Sequence, residues 1–378
     1  MKKDLQICFF GAYDRNYTSN RLIIEGLRQN GVKVVEVNAD IKLTRLDRDE
    51  DMSWWKLVAR VVRKYRLIPE ALKHIKDIQK SDAIFIGFPG HFEVFPAFII
   101  AKLFKKKLIF NPLVIFYTGY VDDQGILKKN SVLAQVIKTA EKLVYSLPDI
   151  ILADTPFQKE HICREFGISA KKVGVLPIGA DDKVYPYSPK TKNDGLTNIM
   201  YYGLYTPIHG IEHIVQAANI LKNHKDIVFT MVGKGHTFEE NYESAQKLGL
   251  KNIRFYPDMM EDTALSTLAE GDIFLGFLQK HPTVDRVVPN KVYQGLALGK
   301  AVISADAKVI RSIFTHKENI YLCKPSDPKS LAEAILYLHE HKAFTKAIGK
   351  NGYELYKKRF TPNMVGKELA DIANSLIK

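Results

Sequence analysis

Val287–Ser304 reads VVPNKVYQGLALGKAVIS. Pro289-Asn290 opens about two helical turns, Gly299-Lys300 ends them, and an apolar strand follows. Lys291 and Gln294 are three residues apart and share one helix face. A cation and a carboxamide at the start of a short helix, next to a buried strand, suit an anionic ligand better than a plain core.

The same strand, loop, helix, strand grammar runs through the rest of the chain. LQICFFGAY from Leu5 predicts a buried strand ending at Gly11. SNRLIIEGLRQNG predicts a helix capped by Ser19 or Asn20 and stopped at Gly31. VKVVEVN, DAIFIGF, KLIFNPLVIFY and DIILAD read as further strands. The pattern restarts with NIMYYGLY, which ends at Gly203, and DIVFTMVGKG, which ends in a second glycine loop. NIRFYP, DIFLGFL, KAVISA and NIYLC follow. This alternation predicts an α/β chain of two doubly wound, Rossmann-like domains, each a parallel sheet with helices on both faces. SPKTKNDGLT from Ser188 reads as the linker. The expected domains are 1–187 and 188–361, with 362–378 a closing helix that has Pro362 in its first turn and packs back on the first domain.

Composition narrows the function classes. The 378 residues are 46% hydrophobic and 26% charged, as in a folded globular chain. Cys8, Cys163 and Cys323 lie far apart, which suits a reducing cytoplasmic setting and forms no metal-like pair. MKKDLQICFF makes a poor signal peptide, and no apolar run approaches the roughly 18 residues of a bilayer span. No GxGxxG follows either first strand, which argues against a dinucleotide dehydrogenase. The formal charge of +13 is uneven, because residues 51–150 hold 16 Lys and Arg against 9 acids while residues 201–300 hold 10 against 11. The basic half is therefore the first.

Ligands of open α/β sheets bind beyond the carboxyl ends of the strands. In the second half those ends supply Gly203-Leu204-Tyr205, Gly233-Lys234-Gly235 and the loop into Pro289-Asn290. Glycines there let backbone amides approach an anion, a helix starting at Asn290 adds its positive end, and Lys291 adds full charge. Together they predict a diphosphate cradle.

Several of these stretches resemble one family. VGVLPIGADDKVYPY from Val173 is similar to the interdomain signature of retaining glycosyltransferases of family 4, the group 1 glycosyltransferases. TMVGKG resembles their second glycine strand, PNKVYQGLALGKAVIS their donor-site helix, and HKENIYLCKPSDPKSLAEAI their closing loop and helix. The match covers most of residues 173–340 in order. It implies a GT-B fold, two Rossmann-like domains facing across a cleft, with a nucleotide-sugar donor on the second and the acceptor on the first. It implies transfer of a sugar from a UDP- or GDP-linked donor to a saccharide or lipid-linked acceptor. Anomeric configuration would be retained and no metal or other cofactor required. Cell-envelope polysaccharide or glycoconjugate synthesis is the implied setting.

Carried over by position, Gln294 stands where the family has the second glutamate of its pair, which holds the ribose diol, and Asp285 or Arg286 stands near the first. The basic slots after the first strand of the second domain read Leu204-Tyr205 and His209-Gly210, so the diphosphate must rely on His209, Lys234, Lys291 or Arg286. The donor site is then Gly203, Tyr205, His209, Gly233, Lys234, Gly235, Asp285, Pro289, Asn290, Lys291 and Gln294. Gly11, Tyr13, Asp14, Arg15, Tyr117 and Thr118 stand on the acceptor side. Asp122, Arg286 and Lys291 are the catalytic candidates.

WWKLVARVVRKYRLI, from Trp54, projects an apolar face opposite Lys56, Arg60, Arg63 and Lys64. With Lys105-Lys106-Lys107 it suggests that 54–68 and 102–107 touch an anionic membrane, peripherally at the inner face of the cell membrane. No recognisable nucleic-acid module accompanies the basic residues. Three other readings rank lower. His209-x-x-Glu212-His213 spells an inverted zinc-peptidase pattern. Asp47-Arg48-Asp49 spells D-x-D but lies in an acidic loop. A glycosyltransferase-like protein that binds without turnover is the third.

Overall fold

The computed structural model describes residues 5–15, 17–39, 67–188, 195–257 and 261–378. The D-x-D at 47–49, most of the basic segment 54–68 and most of the linker from Ser188 lie outside them. The chain divides into two compact units, Met1–Ile178 with Pro362–Lys378, and Gly179–Thr361.

The first unit is a six-stranded parallel sheet in the order β2-β1-β3-β4-β5-β6. Its strands are β1 (Gln6–Gly11), β2 (Lys33–Asn38), β3 (Ala83–Ile86), β4 (Lys107–Phe110), β5 (Ile150–Ala153) and β6 (Val173–Val175). β1, β3 and β5 are buried along their whole length, as strands covered on both faces must be. β4 is shorter than its apolar run suggests. Asn111 ends the ladder by donating to the Ile86 carbonyl, Pro112 cannot continue it, and the chain turns helical by Phe116.

Helices α1 (Thr18–Gln29) and α10 (Pro362–Ile377) cover one face of this sheet. They approach backbone to backbone, since a Cβ on Gly26 would stand 2.0 Å from the Pro362 carbonyl oxygen and one on Gly366 equally close to Gly26. Tyr17, not Ser19 or Asn20, occupies the N-cap position of α1. Asn20 is buried and instead holds the loop after β3, donating to the Phe88 carbonyl at 2.6 Å and accepting from the Phe88 amide at 3.1 Å. The other face carries residues 67–80, α2 (Val94–Leu103), α3 (Val132–Ser146) and α4 (Pro156–Phe166), which share one core with Cys8, Ile84, Leu108 and Ile151.

The second unit repeats the plan in the order β12-β11-β10-β7-β8-β9, again all parallel. Its strands are β7 (Thr197–Tyr202), β8 (Ile227–Val232), β9 (Ile253–Tyr256), β10 (Ile273–Leu275), β11 (Ala301–Ala305) and β12 (Tyr321–Cys323). Between them run α5 (Ile211–Ile220), α6 (Phe238–Lys247), α7 (Asn290–Ala297), α8 (Pro328–Glu340) and α9 (Lys342–Arg359). The unit begins at Gly179 rather than at the linker because Gly179–Tyr185 is anchored within it. The Ala180 amide donates to the Phe360 carbonyl, and the Tyr356 hydroxyl donates to the Ala180 carbonyl.

Strand order reverses between β7 and β10, which are neighbours although three strands apart in sequence. Loops leaving these two strands diverge to opposite faces and open a crevice at the carboxyl edge. That crevice is where Gly203 and the chain leading to α7 emerge.

Candidate functional site

Glycine makes the crevice possible. Gly203 and Gly233 follow β7 and β8 with φ of +141° and +126°. A Cβ on Gly233 would stand 2.0 Å from the Gly203 carbonyl oxygen, and one on Gly235 would stand 2.6 Å from that of Tyr205. Only residues without a side chain let these loops nest.

The amides of Gly203 and Gly233 are not the anion donors the sequence suggests. Gly203 N–H donates to the Val232 carbonyl and Gly233 N–H to the Tyr256 carbonyl, extending the ladder by one bond each. The amides one step further, on Leu204, Lys234 and Gly235, make no hydrogen bond among the described residues. At α7 the helix starts at Asn290 with Pro289 in the N-cap position and no side-chain cap. The Asn290 and Lys291 amides likewise have no acceptor among the described residues. These open N–H groups and the positive helix end form an anion site built from backbone.

Lys291 lies beneath them. Its side chain is only 6% exposed, with Nζ 4.0 Å from the Tyr201 ring centroid and 5.8 Å from that of Phe277. A Cβ placed on Gly203 would sit 3.4 Å from this Nζ. Among the described residues no carboxylate pairs with the ammonium. Its polar contact is His209 Nδ1 at 3.4 Å. Burial therefore pulls the Lys291 pKa well below the ordinary lysine value. Aromatic faces return part of the lost hydration but supply no counter-charge.

His209 closes the cluster. It ends the 3-10 turn Pro207–His209, and Gly210 at φ +70° redirects the chain into α5. Its Nδ1 bonds the Leu204 carbonyl and lies 2.7 Å from the Tyr201 hydroxyl, which itself donates to the same carbonyl at 2.6 Å. The ring packs on Phe277 with centroids 5.0 Å apart. Burial and the nearby Lys291 charge push the imidazole well below its usual pKa, against the opposing effect of the Leu204 bond, so it is neutral at pH 7. His213 Nε2, by contrast, faces Gln279 Oε1 at 3.2 Å. The two histidines of the zinc-peptidase pattern thus serve different partners. Among the described residues no group of three or more His, Cys, Asp or Glu side chains could hold a metal.

The remaining donor-side candidates are spread around this centre. Gln294 is buried on α7 and donates from Nε2 to the Tyr185 hydroxyl at 2.9 Å, which fixes its carboxamide plane. Lys234 is exposed with Nζ 5.7 Å from the Phe238 ring centroid. Tyr205 is fully buried, edge-on to Tyr201 and Phe238, and belongs to the core of the unit. Asp285 accepts from the Lys308 amide at 3.0 Å and so caps the helix Lys308–Ile313. Arg286 donates to Thr283 Oγ1 at 2.9 Å.

On the acceptor side, Tyr13 is buried and structural. Its amide donates to Asn38 Oδ1 and its hydroxyl to Glu36, across the ends of β1 and β2. Arg15 is exposed and 3.5 Å from Glu36, and Asp14 accepts from the Tyr17 amide through its carbonyl. Gly11 closes β1. Tyr117 and Thr118 are buried in the short helix Phe116–Thr118, where Thr118 Oγ1 meets His161 Nε2 at 3.0 Å. Asp122 is exposed on the π-helical turn Gly119–Asp123. Glu141, absent from the sequence reading, anchors this region. It accepts from the Phe116 and Tyr117 amides and from the Tyr145 hydroxyl, each at 2.8 Å, and stands 3.4 Å from His91.

Comparison with known proteins bears on the second unit first. Residues 188–355 match the family model described as Glycosyl transferases group 1. The second unit is a group 1 glycosyl transferase domain. That domain therefore contains β7 through α9, with the Gly203 loop, the Gly233 loop and α7. Two curated relatives are similar to the chain. One is the putative colanic acid biosynthesis glycosyl transferase WcaI of Escherichia coli K12, 30% identical over 154 residues, covering 38% of this chain and 37% of the relative. The other is the D-rhamnosyltransferase WbpZ of Pseudomonas aeruginosa, 23% identical over 261 residues, covering 66% and 64%. The chain thus spans less than two thirds of either relative.

Solved structures extend the likeness to both units. Anabaena Alr3699/HepE in complex with UDP is similar with a TM-score of 0.66 and 12% identity, over 99% of this chain and 100% of that one. Sucrose-phosphate synthase from Thermosynechococcus elongatus gives 0.69 and 15%, over 98% and 99%. The fold is GT-B, two Rossmann-like parallel-sheet domains of which the group 1 domain is the second.

Proposed function

We propose that the protein is a glycosyltransferase whose group 1 domain holds a nucleoside-diphosphate sugar, UDP- or GDP-linked, and passes the sugar to a saccharide or lipid-linked acceptor. One observation carries the reading. Among the described residues, the Lys291 ammonium is buried without a carboxylate beside the β7–β10 crevice, where five backbone amides have no protein acceptor. A buried cation without an anion is costly, and a diphosphate supplies the missing charge.

Glycosyl transfer breaks the bond between the anomeric carbon and the β-phosphate oxygen. Negative charge grows on the diphosphate while the sugar becomes cationic. Lys291 Nζ and the amides of Leu204, Lys234, Gly235, Asn290 and Lys291 are placed to hold that charge, and one such donor is commonly worth about 3 kcal/mol in the transition state. His209, being neutral, orients Tyr201 and the Leu204 turn without competing for the anion. Gln294, fixed by Tyr185, offers a carboxamide oxygen to the ribose. Configuration is retained on this reading, because the leaving phosphate itself takes the proton of the acceptor hydroxyl from the same face. No metal is needed, since protein cations and amides do the neutralising.

Support for the setting comes from the relatives. The chain is similar to a putative colanic acid biosynthesis glycosyl transferase and to a D-rhamnosyltransferase, which supports a role in cell-envelope polysaccharide assembly on the cytoplasmic side. HepE with UDP favours a uridine donor. The test is a thermal-shift screen with UDP, GDP, ADP and dTDP, followed by donor hydrolysis in EDTA. One nucleotide at about 100 times its Kd adds roughly 2.7 kcal/mol of stability. No shift with any of the four would refute the proposal. A shift without turnover would make the protein a binding partner rather than an enzyme.

A further inference from the structure

We propose that the helical layer formed by residues 67–146 of the first unit is a membrane-docking face for anionic lipid. The inference is independent of the donor chemistry. Nineteen large hydrophobic residues are exposed among the described residues, and twelve of them lie between Ile68 and Leu143. So dense an apolar exposure in one stretch is unusual for a surface that only meets water.

Three helices put these residues on one side. Leu67 and Ala71, Val94, Ala97 and Ala101 of α2, and Ala134, Val144 and Tyr145 of α3 all enter the same core on the same face of the sheet. The opposite face belongs to α1 and α10. With their inner sides in one core layer, the three helices turn their outer sides away from it together. On α2 that outer side is Phe95, Ile99 and Leu103, spaced by four, with Ile99 67% and Leu103 70% exposed. On α3 it is Val132, Val136 and Leu143, with Val132 81% exposed. Ile68 and Leu72 repeat the spacing on Leu67–Lys73.

Charge selects the occupant. The α2 stripe runs into Lys102 and Lys105, and the α3 stripe is preceded by Lys128 and Lys129; all four are exposed, and apart from Lys129, which feels the Glu165 carboxylate, none has a carboxylate partner among the described residues. Of the acids in the layer, Glu93 and Glu141 are buried, Glu70 is paired with Lys73, Asp77 lies against His74, Asp82 accepts from the Gln6 amide, and Asp122 and Asp123 share one turn. Apolar stripes flanked by exposed lysines match acyl chains beneath anionic headgroups. A second protein chain would need matching acids or a charge-free rim.

The experiment is flotation of the full chain with phosphatidylglycerol-containing vesicles and with pure phosphatidylcholine vesicles, at 50 mM and 500 mM salt as rough settings for strong and weak attraction. The expected result is binding to the anionic vesicles at low salt, at least tenfold weaker in Phe95→Ser/Ile99→Ser/Leu103→Ser and, separately, in Lys102→Glu/Lys105→Glu. Both variants change exposed positions and should keep the parent melting temperature and nucleotide-induced shift. Equal flotation of parent and variants, no flotation of the parent, or a solution dimer that the serine variant dissociates without any lipid binding would each overturn the proposal.

Discussion

Lys291→Met tests the donor site most sharply, because the structure predicts opposite effects on stability and on binding. Met keeps the apolar stem packed against Tyr201 and Phe277 and removes the charge. In the unliganded protein that charge is desolvated and lacks a carboxylate among the described residues, so its removal should stabilise the fold by about 1–3 kcal/mol, a rise of several degrees for a unit of this size. The pH dependence has a definite sign. The Lys291 pKa is lowered on folding, so between its folded value and about 10.4 the unfolded chain holds the extra proton. Stability therefore rises with pH through that window in the parent, and the variant should lose the slope.

Nucleotide binding should move the other way. A hydrogen bond to a charged group is worth about 1.5–3 kcal/mol, so the Kd for the diphosphate should rise about 10- to 150-fold, and turnover should fall about 10²- to 10³-fold. Calorimetry in two buffers of different ionisation enthalpy adds an independent check. At a pH between the folded-state Lys291 value and about 10.4, the parent should take up a fraction of a proton on binding UDP or GDP, and Lys291→Met none. A variant that melts lower and binds nucleotide as well as the parent would refute the reasoning.

Four further outcomes follow. Gly233→Ala forces a Cβ to within 2.0 Å of the Gly203 carbonyl oxygen, at φ +126°; differential scanning fluorimetry should show a loss of at least about 3 kcal/mol. Gly203→Ala keeps a strained φ of +141° but puts its Cβ 3.4 Å from Lys291 Nζ rather than against backbone, so it should fold with a smaller penalty than Gly233→Ala and lose nucleotide binding, read by calorimetry. Gln294→Glu loses the Nε2 donor to Tyr185 but can instead accept from the Tyr185 hydroxyl, and it gives the ribose an ionised acceptor, so nucleotide affinity should rise several-fold; a loss would contradict the assigned contact. Asp154 follows β5, and burial pushes its carboxyl up to about 7. The folded state then holds a proton that the unfolded chain gives up above about pH 3.9, so stability should fall between pH 4 and 7 by at most about 4 kcal/mol, and Asp154→Asn should flatten that limb of the urea midpoint profile.

Much of the fold was legible because buried parallel strands announce themselves. FFG, YYG and MVG each end an apolar run on the glycine that turns the chain at the carboxyl edge, and PNKVYQGLALGK opens and stops its helix within the sequence itself. The sequence overran where an apolar run crosses a boundary, as in KLIFNPLVIFY, which contains a strand end, a loop and a helix start. It misassigned the α1 cap because Asn20 is committed to Phe88, a partner 68 residues away.

The site was half legible. Lys291, Gly203 and Gly233 declared themselves by type and position. Nothing local marks Tyr201 as the floor under Lys291, or Tyr185 as the partner of Gln294 109 residues on. Nor could the sequence show that the glycine amides are spent on the ladder and that their successors stay open. Glu141 was invisible for the same reason, since its three donors come from Phe116, Tyr117 and Tyr145.

The central claim is that the crevice between the Gly203 loop, the Gly233 loop and the start of α7 binds a nucleoside diphosphate. A crystal structure of the protein soaked with UDP and with GDP tests it directly. The account predicts phosphate density within hydrogen-bond reach of Lys291 Nζ and of the Leu204, Lys234 or Asn290 amides. Nucleotide bound elsewhere, with the crevice holding only solvent, would contradict it.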